Sequence, residues 1–494
     1  MSEASDLIEE TDSLGVGSIC DRALDIAPEL DNAGRLARAS ALRAVALALE
    51  GHRSDIVRTA DAETALGDGR LNAELTRTEY QCDLFAEVLE EGSYLEVTRD
   101  SARKTVMGDQ PDLRRFLVPI GPVAVFGASN FPLAFSVPGG DTVAAIASGC
   151  PVVVKAHPSH QLTSQLCADI MAAALAKAGL PDSSLQLVSG QQAGLDLVQN
   201  PAIKAVAFTG SLVGGKALMA AIGSREDPIP FYGELSSINP IIVLPSAAKS
   251  RAVEIGRGLA ASGTTSNGQL CTKPQTVYIQ VGEDGDAVVE AMSSVFAAMN
   301  AQPYLNAGIS MAFSNGVHRL QSDSRIHKLA PQPDAEMEWQ RPTLLSVSCS
   351  DAPDAIMGEV FGPLQVVVRY TDLDDLVEGL RLIPGSLTAT MHAELLDKEM
   401  VNTIVAALRT KVGRFIFNGY PTGVMVSWGQ NHGGPWPATT SIHTSVGATS
   451  IRRFLRPITF QSAPEWILPT VLRDDYEIPK RIDGALVLPS SSSS

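Results

Sequence analysis

The chain has 494 residues, too many for one hydrophobic core, so two or three domains are expected. Hydrophobic residues make up 45% and charged residues 19%, which excludes a disordered chain and fits a globular one. The 38 basic and 55 acidic residues leave a net charge of −17, which argues against nucleic acid and anionic membranes as partners, since both are polyanions.

In chain order, residues 17–108 read as mostly helical, with Ala39, Leu42, Val45 and Leu49 at helical spacing. From about residue 120 short apolar strands alternate with helices. Residues 122–126 form a strand that ends in Gly127-Ala128-Ser129-Asn130. Asp141 is placed to cap the next helix, which Gly149 stops. Val152-Val153-Val154 is a strand apolar on both faces. Leu162, Leu166 and Ile170 mark a helix closed by Gly179 and Pro181, and 185–188 and 204–208 are further strands. This alternation predicts a parallel sheet with helices on both faces. Ligands of such sheets sit beyond the carboxyl ends of the strands, where Asn130, Lys155, Gly190 and Ser211 fall.

A second α/β region follows Glu234, with strands at 241–244, 276–280, 364–368 and 414–417 and helices at 287–299 and 398–410. After a Gly/Pro-rich stretch, His432 to Pro437, residues 453–461 read as an edge strand for assembly. The terminal serines, Ser490 to Ser494, read as an unstructured tail. The acidic N-terminus, Met1 to Asp6, lacks the order of a signal peptide, and the longest weakly polar run, 142–154, is too short to span a bilayer. The six cysteines are scattered, with no C-x-x-C pair and no zinc spacing, which suits a reducing compartment. A cytoplasmic protein without a resident metal is expected.

One thiol stands apart. Cys271 follows a Gly/Gln turn in a polar run, Ser262 to Gln269, that interrupts two apolar segments. Free cysteine is usually a small buried residue. A polar, accessible setting instead favours a nucleophile, because the reactive form is the thiolate. Asn130 can stabilise an oxyanion, or serve only as a turn residue. Glu234, a polar interruption in an apolar context, can act as a base toward water, or be an ordinary surface glutamate. Lys155 can reach ribose hydroxyls or a phosphate, or snorkel from the sheet edge. Gly190-x-x-x-Gly194 and Thr209-Gly210-Ser211 are strand-to-helix turns, although the G-x-G-x-x-G fingerprint is missing. Glu359 is a further candidate ribose ligand.

Together these motifs resemble the aldehyde dehydrogenase superfamily. The matching stretches are Phe126-Gly-Ala-Ser-Asn-Phe-Pro132, Val154-Lys155, Phe208-Thr-Gly-Ser211, Gly233-Glu234-Leu235 with Asn239-Pro240, Gly268-Gln-Leu-Cys271 and Glu359-Val-Phe-Gly-Pro363, in the family's order. The resemblance implies an α/β fold of three parts. A Rossmann-like cofactor domain would take 1–100 and 120–233, and an α/β catalytic domain 234–437. A small β oligomerisation arm would take 101–119 and 450–465, with 466–494 as a C-terminal extension.

The resemblance also implies the roles. Cys271 is the nucleophile, Asn130 and the Cys271 N–H hold the oxyanion, and Glu234 activates the deacylating water. Ser129, Lys155, His157, Pro158, Gly190, Gly210, Ser211, Glu359 and Phe361 surround the cofactor. Homodimers or homotetramers and a small aldehyde substrate are implied. Residues 116–126, Val154-Lys-Ala-His-Pro158, His432-Gly-Gly-Pro-Trp-Pro-Ala-Thr-Thr440, Thr444-Ser-Val-Gly447 and Arg453-Phe-Leu-Arg-Pro457 are similar to α-ketoglutaric semialdehyde (2,5-dioxovalerate) dehydrogenases.

There are departures. Ser236 and Ser237 stand where the superfamily usually has glycines, so the base's backbone is expected to sit differently. Pro158 stands where many NAD-preferring members carry a glutamate, so NADP is the expected cofactor, with NAD also accepted. Lys155, His157 or His160 would neutralise the extra phosphate. Arg114, Arg115, Arg452 and Arg453 are candidates to clamp a substrate carboxylate, or assembly contacts. The alternatives are an aromatic or medium-chain aldehyde, favoured if Trp428 and Trp436 line the pocket, and a non-catalytic binding protein on this fold.

Overall fold

The computed structural model describes residues 8–329 and 339–489. The readings made on Met1 to Asp6 and on Ser490 to Ser494 lie outside the described residues. Four helices open the chain: α1 (Ser13–Asn32), α2 (Gly34–Gly51), α3 (Arg53–Thr64) and α4 (Asp68–Glu91). The alanine- and leucine-rich sequence of α2 favours helix intrinsically, and its buried Ala39, Leu42, Val45, Ala46 and Leu49 form one stripe. The helical reading ends there. β1 (Thr98–Asp100) and a small hairpin follow, then β2 (Leu113–Pro119), so the stretch after α4 is extended rather than helical.

The cofactor-type sheet is built from β3 (Val123–Phe126), β4 (Val152–Lys155), β5 (Leu185–Val188), β6 (Ala205–Thr209) and β7 (Phe231–Glu234). Its order is β5-β4-β3-β6-β7, all parallel, with Phe126 in register with both Lys155 and Phe208. The strand order reverses at β3, so the crevice between the loops after β3 and β6 is the topological switch point. The crossovers are α5 (Gly140–Ser148), α6 (Gln161–Lys177), α7 (Gln191–Gln199) and α8 (Leu212–Gly223). Gly149 closes α5 at φ +98°, as its sequence position suggests. Asp141 does not cap that helix. Gly139 is the N-cap, and Asp141, one turn in, pairs with Arg453 at 2.7 Å.

The second sheet contains β8 (Ile241–Val243), β9 (Thr276–Gln280), β10 (Thr343–Ser348), β11 (Leu364–Tyr370), β12 (Ser386–His392) and β13 (Val412–Phe417). They run parallel in the order β10-β11-β9-β8-β12-β13, and the short segment His327–Lys328 adds antiparallel beside β10. All seven residues of β12 are buried, including Ser386, Thr388 and Thr390. That polar composition hid the strand from a hydrophobicity reading. Helices α9 (Pro245–Thr264) and α10 (Glu283–Ala298) pack together beside this sheet.

The third sheet joins distant parts of the chain. β14 (Leu455–Gln461), β15 (Lys480–Ile482) and β16 (Ala485–Val487) combine with β1 and β2 in the order β14-β2-β1-β15-β16. The C-terminal residues therefore complete this sheet, and β14 is an edge strand. No helix among the described residues is long and apolar enough to cross a membrane.

Candidate active site

The polar run before Cys271 is a tightly tied turn. Ser266, Asn267 and Gly268 all take left-handed backbone, at φ +53°, +53° and +61°. For non-glycine residues this conformation persists only where surroundings hold it. The ties are visible: the Asn267 amide donates to the Gln302 and Pro303 carbonyls, and Leu305 N donates to the Gln269 side chain at 3.0 Å. A Cβ on Gly268 would meet the Gly362 and Pro363 backbone, so the turn sits flush against that loop. Beyond the thiol, Asn239 donates to the Cys271 carbonyl at 2.8 Å and the Lys273 carbonyl at 3.0 Å. Cys271 is the one partly exposed thiol among the described residues, and the other five cysteines are buried.

Three chemical groups converge on it. Glu234 ends β7 and His432 lies in the Gly/Pro-rich stretch. His432 Nε2 stands 2.8 Å from Glu234 Oε1 and 3.7 Å from Cys271 Sγ. Ser445 Oγ donates to the other Glu234 oxygen at 2.8 Å. One nitrogen thus serves both neighbours, so an N–H at Nε2 can donate to the carboxylate or to a thiolate. Asn130 donates its amide to the Gln269 carbonyl at 2.8 Å, two residues before the thiol, and Arg70 donates to the Asn130 carbonyl. Asn130 keeps a second amide hydrogen. The Cys271 N–H has no acceptor among the described residues.

Electrostatics follow from burial and these contacts. Burial pushes the Cys271 thiol well above its usual pKa, the Glu234 carboxylate adds to this, and Arg77 opposes it. Burial also pushes Glu234 up, but the charge and hydrogen bond of His432, with bonds from Ser445 and Cys271, outweigh it and hold the carboxyl below its usual range. Burial raises Glu359 to about 7, against the pull of Lys273, and the Ser236 hydroxyl bonds to its carboxyl. The two unusual serines are thus both engaged: Ser237 Oγ donates to Asn239 Oδ1 at 2.7 Å. The Sγ, Nε2 and carboxylate oxygen of Cys271, His432 and Glu234 lie within 4.8 Å of one another, a grouping that sequence spacing did not reveal.

His432 was not singled out for chemistry by the sequence reading. Its glycines were the signal. A Cβ on Gly413 would collide with the Gly433 carbonyl, on Gly434 with Ser386, and on Gly385 with the Pro435 carbonyl. The 433–436 backbone therefore lies directly on the starts of β12 and β13, which fixes where His432 points.

A cleft of about 340 Å³ opens at the switch point. Ser129, Lys155, His157, Pro158, Gly210 and Ser211 line it, while Gly190, Glu359 and Phe361 do not. Gly190 instead precedes α7 beside Glu10, and Glu359 faces Ser236 and Lys273. The histidines correct one expectation. Burial drives His157 down to about 3 and also lowers His160, whose Nε2 meets the Ala128 carbonyl at 2.9 Å. Both are neutral at neutral pH, so only Lys155 brings positive charge to this wall.

The arginines proposed to hold a substrate carboxylate are mostly engaged elsewhere. Arg453 is buried against Asp141, and Arg452 pairs with Glu96 at 2.8 Å. Arg114 pairs with Asp112 and Asp474 at 3.0 Å, and Arg115 is exposed on the same strand β2. The ion pairs of Arg114, Arg452 and Arg453 tie the third sheet and the residues beside it to the rest of the chain. Trp428 and Trp436 are 47% and 49% exposed, and Lys216 lies over the Trp436 ring.

Comparison with known proteins settles the family. The model of the aldehyde dehydrogenase family matches residues 7–455. The chain belongs to the aldehyde dehydrogenase family. Among curated relatives it is 40% identical over 478 residues to α-ketoglutaric semialdehyde dehydrogenase 2 of Azospirillum brasilense, covering 94% of this chain and 91% of that one. It is 39% identical over 460 residues to α-ketoglutaric semialdehyde dehydrogenase of Acinetobacter baylyi, covering 91% and 87%. The structure of aldehyde dehydrogenase 21 from Physcomitrella patens superposes with a TM-score of 0.77 at 20% identity, over 92% of this chain and 91% of that one, and shows the shared fold.

The protein is accordingly an NAD(P)-dependent aldehyde dehydrogenase, which oxidises an aldehyde to a carboxylic acid. The switch-point cleft fits a dinucleotide. A Cβ on Gly194 would press on Phe126 at 3.1 Å and on the Lys155 stem, and one on Gly210 would press on the Phe208 ring, so glycine keeps these walls open. Ser211 caps α8 through the Gly214 N–H, which presents a helix N-terminus to the cleft.

Proposed function

We propose that the protein oxidises α-ketoglutaric semialdehyde to 2-oxoglutarate, and that it does so through Cys271. The identity of 39–40% over at least 91% of the chain to relatives of that name carries the substrate assignment. The convergence of Cys271, Glu234, His432 and Asn130 supports the chemistry.

The Cys271 thiol loses its proton to solvent, and His432 Nε2–H steadies first the Glu234 carboxylate and then the thiolate. Sulfur adds to the aldehyde carbon. The oxyanion is held by the Asn130 amide and the Cys271 N–H, an arrangement in which one donor typically contributes about 10²–10³ in rate. A bound nicotinamide supplies the oxidising power that converts the adduct to a thioester. Glu234 then deprotonates water, which attacks the thioester, releases the acid and restores the thiol. Lys155, Ser129, Pro158 and Ser211 bind the adenosine end and the pyrophosphate. We assign Gly190, Glu359 and Phe361 to the cofactor's periphery.

NADP is the preferred cofactor in this reading. Pro158 brings no carboxylate to repel a 2′-phosphate, and Lys155 offers a cation. The chain works as a cytoplasmic homodimer or homotetramer, with the open edge of β14 as a joining surface. Initial rates with α-ketoglutaric semialdehyde, comparing NADP with NAD at matched concentrations, test the substrate and the cofactor together. Slow turnover with both, beside fast oxidation of an aliphatic or aromatic aldehyde, overturns the substrate. Sedimentation at equilibrium tests the assembly, and a monomer at all concentrations overturns it.

A further inference from the structure

The strongest unexplained feature is an arginine on α4. Both terminal nitrogens of Arg77 are closed off from solvent and have no hydrogen-bond partner. Its Nε donates to the Val424 carbonyl at 3.2 Å, and its guanidinium lies 5.1 Å over the Phe135 ring. Phe135 in turn sits 6.1 Å from the His432 ring. The Arg77 charge is felt by both Cys271 and Glu234. A guanidinium is always charged and cannot shed a proton to escape burial. Leaving its two terminal nitrogens unbonded beside a reaction centre costs stability, and the cost needs an explanation.

Its nearest carboxylate, Glu74, offsets its charge without bonding to its terminal nitrogens. Arg70, Glu74 and Arg77 share one face of α4 by their spacing. Glu74 is the near carboxylate; its Oε1 is taken by the Leu133 and Ala134 N–H groups at 2.8 Å, and its Oε2 is buried without a hydrogen-bond partner, so it makes no bond to Arg77. It must also serve Arg70, whose Nη1 is likewise unbonded. Arg414, the other arginine felt by Cys271, differs. Its terminal nitrogens donate to the Gly423 and Pro421 carbonyls. Arg77 alone of these offers a free two-pronged fork, the geometry that matches a carboxylate.

We propose that Arg77 clamps the carboxylate at the far end of the substrate, so that the site selects aldehydes carrying a distal acid. This rests on the semialdehyde reading above and names the residue that enforces it. It also moves the clamp from the arm arginines to the helix behind Asn130. Arg77 touches substrate without taking part in bond making, so its loss should appear in KM before kcat.

The test compares a carboxylate-bearing aldehyde, α-ketoglutaric semialdehyde, with pentanal, an uncharged aldehyde of the same chain length. Arg77→Met should lower kcat/KM for the semialdehyde at least about 100-fold, mostly through KM, as expected for loss of a charged hydrogen-bonded pair. Pentanal oxidation should fall far less, by no more than loss of the Arg77 charge costs the Cys271 thiolate, and Arg77→Lys should restore part of the semialdehyde rate. In the wild type, glutarate should compete with substrate far better than pentanoate, a readout that needs no variant to fold. Equal loss on both aldehydes in Arg77→Met, with the wild type still preferring the semialdehyde, overturns the clamp and spares the substrate. A wild type that prefers pentanal and ignores glutarate overturns both.

Discussion

At the residue scale the candidate site is built around one buried carboxylate with three hydrogen-bond donors around it. Glu234 is shared by His432, Ser445 and Cys271, and this keeps it ionised despite burial. Replacing it with glutamine keeps the shape and removes the base. Glu234→Gln should leave a burst of reduced cofactor, about one per site, followed by slow turnover, as seen by stopped-flow absorbance. A steady rate equal to the wild type without a burst would remove its assigned role. The Cys271 thiol titrates high because burial and Glu234 disfavour the thiolate. The sign follows: at neutral pH the thiol is mostly protonated, and its alkylation by iodoacetamide should accelerate as pH rises through and beyond the ordinary thiol range. His432→Ala removes a donor to the thiolate and should slow that alkylation about 10–100-fold at neutral pH. An unchanged rate would reduce His432 to a packing role.

At the element scale the site is an intersection of loops from two sheets. β3, β6 and β7 deliver Asn130, Ser211 and Glu234 from one sheet, and the turn after α9 delivers Cys271 beside the other. The junction is locked by buried polar contacts rather than by apolar packing alone. Arg453, next to the start of β14, pairs with Asp141 of α5 at 2.7 Å, and both are largely shielded. Arg453→Ala leaves Asp141 uncompensated and should cost about 3–5 kcal/mol, read from urea unfolding. A loss within about 0.5 kcal/mol, the scale of ordinary surface changes, would show that the pair is not a structural lock. Much of this level was legible in the sequence. The continuous apolar runs of β3 and β4 gave a doubly covered parallel sheet, and Gly149 gave the helix end. β12 was not legible, because its serine and threonines are buried between β8 and β13, with Ser386 and Thr388 bonded to the Pro384 carbonyl and Asn239.

At the scale of the whole molecule, the switch-point cleft and the third sheet are each formed by separate segments of the chain. The cleft wall carries Lys155 and the neutral imidazole of His157, which stacks on the buried, neutral His160. If NADP binds as proposed, a single cation faces its 2′-phosphate, and the balance is sensitive to one added charge. Pro158→Glu should shift the kcat/KM ratio from NADP toward NAD by at least about 10-fold, one charge-assisted contact's worth. An unchanged ratio would place cofactor selection elsewhere in the cleft. The third sheet shows the same dependence on distant segments, since β14, β15 and β16 complete a sheet begun by β1 and β2.

The amino-acid sequence by itself determined the family and the α/β class, and it singled out Cys271, Glu234 and Asn130 as candidates, because those residues sit in local motifs whose context survives along the chain. Tertiary structure alone brought His432 to 2.8 Å from Glu234, engaged Arg114, Arg452 and Arg453 in ion pairs, and left Arg77 with unbonded nitrogens at the site. The physical reason is that a charge's role depends on which partners folding places around it. Glu234 and His432 are 198 residues apart, and no local pattern records that they share a proton.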